Sequence, residues 1–241
     1  MTIIMMPSDA APSIGKLQGA LKAVERNMDM ATGLHEVWKP TAFDNALHER
    51  MGISFASHAF NVVKTALRRE MLLALVRVWD KTQGTQSLSV VVRSLREPTT
   101  WADLVAHRTA SLGYRFLDDA VESTLVEIRD EVFAINDAYS KEGTQYHVLH
   151  RLVKLRNVDL AHSQAAEAGA KRGVDSFDEQ VEEIYRDTQR IVSKLLSLVN
   201  GNAYSYIDVG HVYAHYAKRF WASVRGENTE GHPDYRPPHD V

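Results

Sequence analysis

Residues 145–164 read QYHVLHRLVKLRNVDLAHSQ. At the α-helical step of about 100° per residue, Val148, Leu149, Leu152, Val153, Leu155 and Leu160 fall within one wide apolar stripe. His147, His150, Arg151 and Lys154 fall opposite. The stretch therefore predicts one amphipathic helix. Arg156 breaks its pattern near the middle of the stripe, and Asp159 sits inside it. A guanidinium on a core-facing stripe is costly to desolvate unless it is paired or has a task. His162 follows at the helix end, so Arg156, Asp159 and His162 form a row spaced by three.

Two readings of this row stand side by side. In the structural one, Arg156 and Asp159 are a buried pair at i,i+3, and His162 is a helix-end cation facing the negative end of the dipole. In the catalytic one, the planar, permanently charged guanidinium of Arg156 holds phosphate and the imidazole of His162 moves a proton near neutral pH. Six residues of helix rise about 9 Å and turn the two side chains about 120° apart. One copy is badly placed to grip a single phosphate, whereas two copies across a two-fold axis meet the need.

The flanking chain predicts an all-α fold, a bundle of long antiparallel helices. A first helix spans about 13–38, with Leu17, Leu21, Val24, Met28 and Ala31 at helical spacing, and Pro40 ends it. A second spans about 42–79, with Phe55, Ala59, Val62, Val63, Ala66, Leu67, Met71, Ala74 and Val78 inward. Its last part, EMLLALVRVW, is apolar nearly all round and belongs at the centre.

A turn on Gly84 leads to a short helix over 87–96. Thr100 then caps a helix to about 111. Residues 114–141 form another long helix, with Phe116, Leu117, Ala120, Leu125, Ile128, Val132 and Ile135 inward, and Gly143 ends it. Ser176 and Glu179 fit a capping box before a helix to about 198, and an extra aromatic-rich C-terminal helix covers about 208–224. Residues 1–12 read as a flexible arm, 13–224 as a single helical domain, and 225–241 as a disordered tail, for lack of periodicity. No strand pattern and no internal repeat is evident.

Composition narrows the function. With 28 Lys plus Arg against 31 Asp plus Glu, the formal charge of −3 argues against a bulk nucleic-acid coat but leaves room for a local basic site. His150, Arg151 and Lys154, beside His147, form such a candidate RNA-binding face. The absence of cysteine excludes disulfides, thiolate metal sites and cysteine nucleophiles, and fits a reducing cytoplasm. No apolar run approaches a membrane span and no signal peptide is evident. His211 and His215 in HVYAH could share a metal, but no third ligand lies nearby, and Tyr213, Tyr216, Phe220 and Trp221 around them suggest packing or an interface. Trp79 and Asp80 read as a core aromatic and a turn residue. No cofactor motif and no metal site is predicted.

The run LRNVDLAHS resembles the motif of the HEPN superfamily, in which an arginine precedes a polar residue and a histidine follows a few positions on. The branch it is most similar to is the AbiU-type abortive-infection proteins, supported by VRVWDKTQGTQSLSVVVRSL at 76–95, in which a helix ends in aspartate before a turn and a Ser-Leu helix. The resemblance covers roughly residues 15–200. It implies a bundle dimerising through the motif helices, and metal-independent endoribonuclease activity in phage defence or a toxin–antitoxin-like role. By motif matching, Arg156 is the phosphate-binding arginine, Asn157 the polar residue after it, and His162 the catalytic histidine. Asp159 is assigned from spacing alone, to orient Arg156, His162 or both. The partners expected are a second copy, RNA, and an antitoxin or regulatory protein, with no DNA and no membrane. Some members of the superfamily have no shown activity, so a module that binds nucleotide, RNA or protein without cutting it is the alternative.

Overall fold

The computed structural model describes residues 12–82, 84–112, 118–161 and 176–237, with side chains described over 13–82, 84–111, 119–155 and 179–237. Among these residues there are nine helices and no strand: α1 (Pro12–Phe43), α2 (Asn45–Met51), α3 (Ala56–Val78), α4 (Leu88–Arg96), α5 (Pro98–Leu112), α6 (Asp118–Ala138), α7 (Tyr146–Ala161), α8 (Ser176–Asn200) and α9 (Tyr206–Ala222). The all-α class is as the sequence predicts. α1 is the helix on which most of the others pack. Its 32 residues extend about 48 Å at 1.5 Å per residue, and α3, α4, α5, α8 and α9 all pack on it. Ile14, Leu17, Leu21, Val24, Met28, Ala31 and Trp38 supply the apolar row that holds them, all buried.

Pro40 does not end α1. The helix runs on to Phe43, with the Asp44 amide donating to Pro40 O at 3.0 Å and the Thr41 hydroxyl donating to Trp38 O at 2.6 Å. Proline removes its own donor, but a lost bond this close to the helix end costs little continuity.

The single helix expected over 42–79 is two. Asp44 caps α2 by accepting from the Leu47 amide at 3.1 Å. Gly52 then turns the chain at φ 53°, a left-handed value that suits glycine, and its amide closes on His48 O at 3.0 Å. The run EMLLALVRVW is central as predicted: Met71, Leu72, Ala74, Leu75, Val76, Val78 and Trp79 are buried. The first half of α3 departs from expectation. Phe55 is 87% exposed, Val62 68% and Val63 42%, while Phe60 and Met71, on the opposite side of the helix, are buried. This half has two apolar faces, and the bundle uses one.

Later elements follow the predicted order with shifted starts. α5 begins at Pro98 rather than at Thr100, because proline at the first helical position needs no donor and Glu97 O accepts the Trp101 amide at 3.0 Å. Phe116 and Leu117 lie outside the described residues; Leu125 and Val132 of α6 are buried, and Ala120 is exposed. Gly143 sits in the tight link to α7, where a Cβ would run into the Asp137 and Ala138 carbonyls. The Gln145 amide closes that link on Ala138 O at 2.8 Å. α8 begins at Ser176 as predicted, though its cap side chain lies outside the described set.

The described part of the tail makes contacts with the bundle. Over 225–237 it forms turns that dock on the α2–α3 break. The Gly226 amide and the Thr229 hydroxyl donate to Arg50 O at 2.9 and 2.6 Å. Asn228 donates to Ile53 O at 2.6 Å, and the Glu227 carboxylate accepts the Phe55 amide at 2.5 Å. Periodicity cannot signal such order, because the break between α2 and α3 supplies the partners. A small second core of Leu47, Met51, Phe60, Ala217 and Trp221 lies beneath. Residues 1–11 of the predicted arm and 238–241 of the tail lie outside the described residues. No described helix is long and apolar enough to cross a membrane.

Candidate functional site

α7 forms from the predicted stripe. Val148, Leu149 and Leu152 are buried against the main core, and Val153 and Leu155 pack partly against it. These side chains seat α7 on α3 and α8. Polar contacts fix its first turns. Gln145 Nε2 donates to Glu183 Oε1 of α8 at 2.6 Å, and Arg151 Nη1 donates to Gln180 Oε1 of α8 at 3.2 Å. The predicted polar face is solvated: His147, His150, Arg151 and Lys154 are all exposed. The His150 ring lies 5.7 Å from that of Tyr146. This face can attract an anionic backbone without a desolvation cost.

Arg156, Asn157 and Asp159 lie on the second half of the same helix, on backbone continuous with the packed half. Their side chains lie outside the described set, and His162 lies outside the described residues. The structure thus places the helix that carries Arg156, Asn157 and Asp159.

His211 and His215 are exposed on α9, and the His215 ring lies 6.0 Å from that of Tyr216. Among the described residues, no three histidine, aspartate or glutamate side chains group to hold a metal. Trp79 is the core aromatic expected, donating from Nε1 to Thr188 Oγ1 at 2.8 Å. Asp80 is the turn residue expected, accepting from the Thr82 amide at 2.9 Å.

Sequence reasoning missed a second polar cluster. His35 of α1 is 1% exposed, with Nδ1 2.8 Å from Glu36 Oε1 and Nε2 2.5 Å from Glu182 Oε1 of α8. Its ring stacks on Tyr185 at 3.7 Å between centroids. Burial pulls the His35 pKa down, but hydrogen bonds to Glu182 and Glu36 outweigh it and leave the group above its ordinary value. Burial raises Glu182, yet the bond to His35 and the nearby Lys39 bring it below its ordinary value. The Tyr185 hydroxyl donates to Glu36 Oε1 at 3.2 Å; burial and then the Glu36 charge push that phenol up. The cluster sets the His35 ring between two carboxylates within the bundle. Glu36 also lines an open cleft of about 560 Å³ between α1, α2 and α9, with Lys39, Phe43, Arg50, Lys218 and Trp221. One sequence signal existed: His35 falls on the α1 apolar row, between Met28 and Trp38.

Comparison with known proteins agrees with the family resemblance. The sequence model of the AbiU2 family, HEPN_AbiU2, matches residues 14–220. No curated protein and no solved structure matches. The match spans every helix from α1 to most of α9, including α7 and its arginine row, and the chain therefore belongs to the AbiU2 family of HEPN proteins.

Proposed function

We propose that this protein is a metal-independent endoribonuclease acting as a homodimer, in phage defence by abortive infection or in a toxin–antitoxin-like role. The observation that carries the reading is the row Arg156–Asn157–Asp159–His162 in a chain of the HEPN AbiU2 family, with its first three members on the second half of α7. The exposed Arg151 and Lys154, with His150 beside them on the first half of that helix, supply local positive charge for an RNA backbone.

The chemistry needs two proton transfers and stabilisation of charge on phosphorus. One His162 removes the proton of a 2′-hydroxyl, whose oxygen attacks the adjacent phosphorus. The second His162, from the other copy, protonates the departing 5′-oxygen. Arg156 offsets the charge that develops on the phosphoryl oxygens. Asn157 and Asp159 position the pair. The products are a 2′,3′-cyclic phosphate and a 5′-hydroxyl, and DNA resists because it lacks the nucleophile. An antitoxin or regulatory protein that covers α7 would hold the site silent.

The test is cleavage of labelled RNA by purified protein in EDTA. Cutting by the wild type, abolished in Arg156→Ala and His162→Ala, supports the enzyme. RNA that is retained but left intact sinks it and leaves a binding module.

A further inference from the structure

The first half of α3 carries an apolar row that the other described residues leave exposed. Phe55, Ala59, Val62 and Ala66 follow one another at spacings of four, three and four, so they share one face. All four are exposed, Phe55 at 87% and Val62 at 68%. The face opposite, with Phe60 and Met71, is the one buried in the bundle. Within the row's arc no residue from 55 to 66 is charged; Lys64 lies on the other side of the helix. Ile53, in the turn just before the helix, is 95% exposed.

The row alternates large and small: Phe, Ala, Val, Ala. Read in reverse, it is small, large, small, large. Two copies laid antiparallel about a two-fold axis therefore set Phe55 of one against Ala66 of the other, and Val62 against Ala59. Each large side chain meets a small one, as knobs meet holes in close helix packing. The alanines, seven residues apart, let the backbones approach. A row matched to its own reversal is the pattern an isologous interface requires.

We infer that this face of α3 is the surface on which two copies of the chain pair, antiparallel, with residues 55, 59, 62 and 66 at its centre. This deepens the reading above and rests on its homodimer. α7 packs on α3, so the shared surface is built on the helix that supports the motif helix rather than on the motif helix alone.

The chain has no cysteine, which makes directed cross-linking clean. Chains carrying Ala59→Cys and chains carrying Val62→Cys are mixed and oxidised, with Asn61→Cys, exposed on another side of the helix, as control. The inference expects the mixture to cross-link more than either variant alone, and more than the control. Sedimentation provides the second arm. Wild type is expected as a dimer, while Val62→Glu and Ala66→Phe are expected as monomers of unchanged helicity. Adding Phe55→Ala to Ala66→Phe is expected to restore the dimer, because the large and small positions are exchanged. A wild-type dimer that persists in Val62→Glu and does not cross-link through 59 and 62 overturns the α3 surface and leaves the dimer reading standing. A wild type that is monomeric at every concentration overturns both. RNA cleavage lost in Arg156→Ala while the dimer persists separates the chemistry from the pairing.

Discussion

His35 Nε2 of α1 lies 2.5 Å from Glu182 Oε1 of α8, joining two helices of the bundle through a histidine that is 1% exposed. Glu36 holds the other ring nitrogen, and Lys39 Nζ reaches the second Glu182 oxygen at 3.2 Å. The folded state favours a protonated His35, because its pKa is raised. Its contribution is therefore full below about pH 6.5, the unfolded value, and fades as pH rises through the folded value. Glu182 has a depressed pKa, so its contribution is present above the ordinary carboxylate value and lost as pH falls through the folded one. Thermal melts from pH 5 to 9 should show stability falling on the alkaline side in wild type and a flatter profile in His35→Gln. Near pH 6 the substitution should cost on the order of 3–5 kcal/mol, as for one partner lost from a buried pair. An alkaline fall of equal size in the variant would assign it to another group.

Trp79 and Thr188 tie the central end of α3 to α8. Thr188 accepts from Trp79 Nε1 at 2.8 Å while its own hydroxyl donates to Ile184 O at 2.5 Å. Thr188→Val leaves a buried indole N–H without a partner, which costs about 1–3 kcal/mol. In Trp79→Phe the N–H is gone, so adding Thr188→Val to it should cost less than Thr188→Val alone. Urea unfolding of the four proteins measures the difference; strict additivity would deny the bond any role.

Glu227 reaches back to the start of α3, accepting from the Phe55 and Ala56 amides at 2.5 and 3.3 Å. Phe55 and Ala56 are among the first donors of a helix that has no side-chain cap of its own. Glu227→Ala should speed amide hydrogen exchange over residues 55–60 and leave α8 unchanged. Exchange that is unaltered at the start of α3 would mean the tail rests there without supporting it.

The fold was legible where an apolar row had one meaning. Leu17, Leu21, Val24, Met28 and Ala31 repeat at helical spacing and are all buried. The same spacing misled at Phe55 and Val62, because periodicity marks an apolar face and cannot say whether its cover comes from this chain. Pro40 misled because its cost depends on how near the helix end lies. His35 was legible only as a polar residue on the α1 apolar row, because its partner Glu182 lies 147 positions away in sequence. The tail was unreadable for the same reason: its partners, the carbonyls of Arg50 and Ile53, are set by the α2–α3 break and not by local pattern. The site stands differently. Its helix was legible and its family is shown, while the Arg156 row is known by sequence and by its place on α7.

That row is tested most directly by its product. Wild-type protein is incubated in EDTA with end-labelled RNA and, in parallel, with DNA of the same sequence, and the new ends are identified. Fragments of the RNA alone are expected, ending in 2′,3′-cyclic phosphate, with no product from His162→Ala. Cleavage of the DNA, cleavage that requires an added metal, or equal cutting by His162→Ala would contradict it.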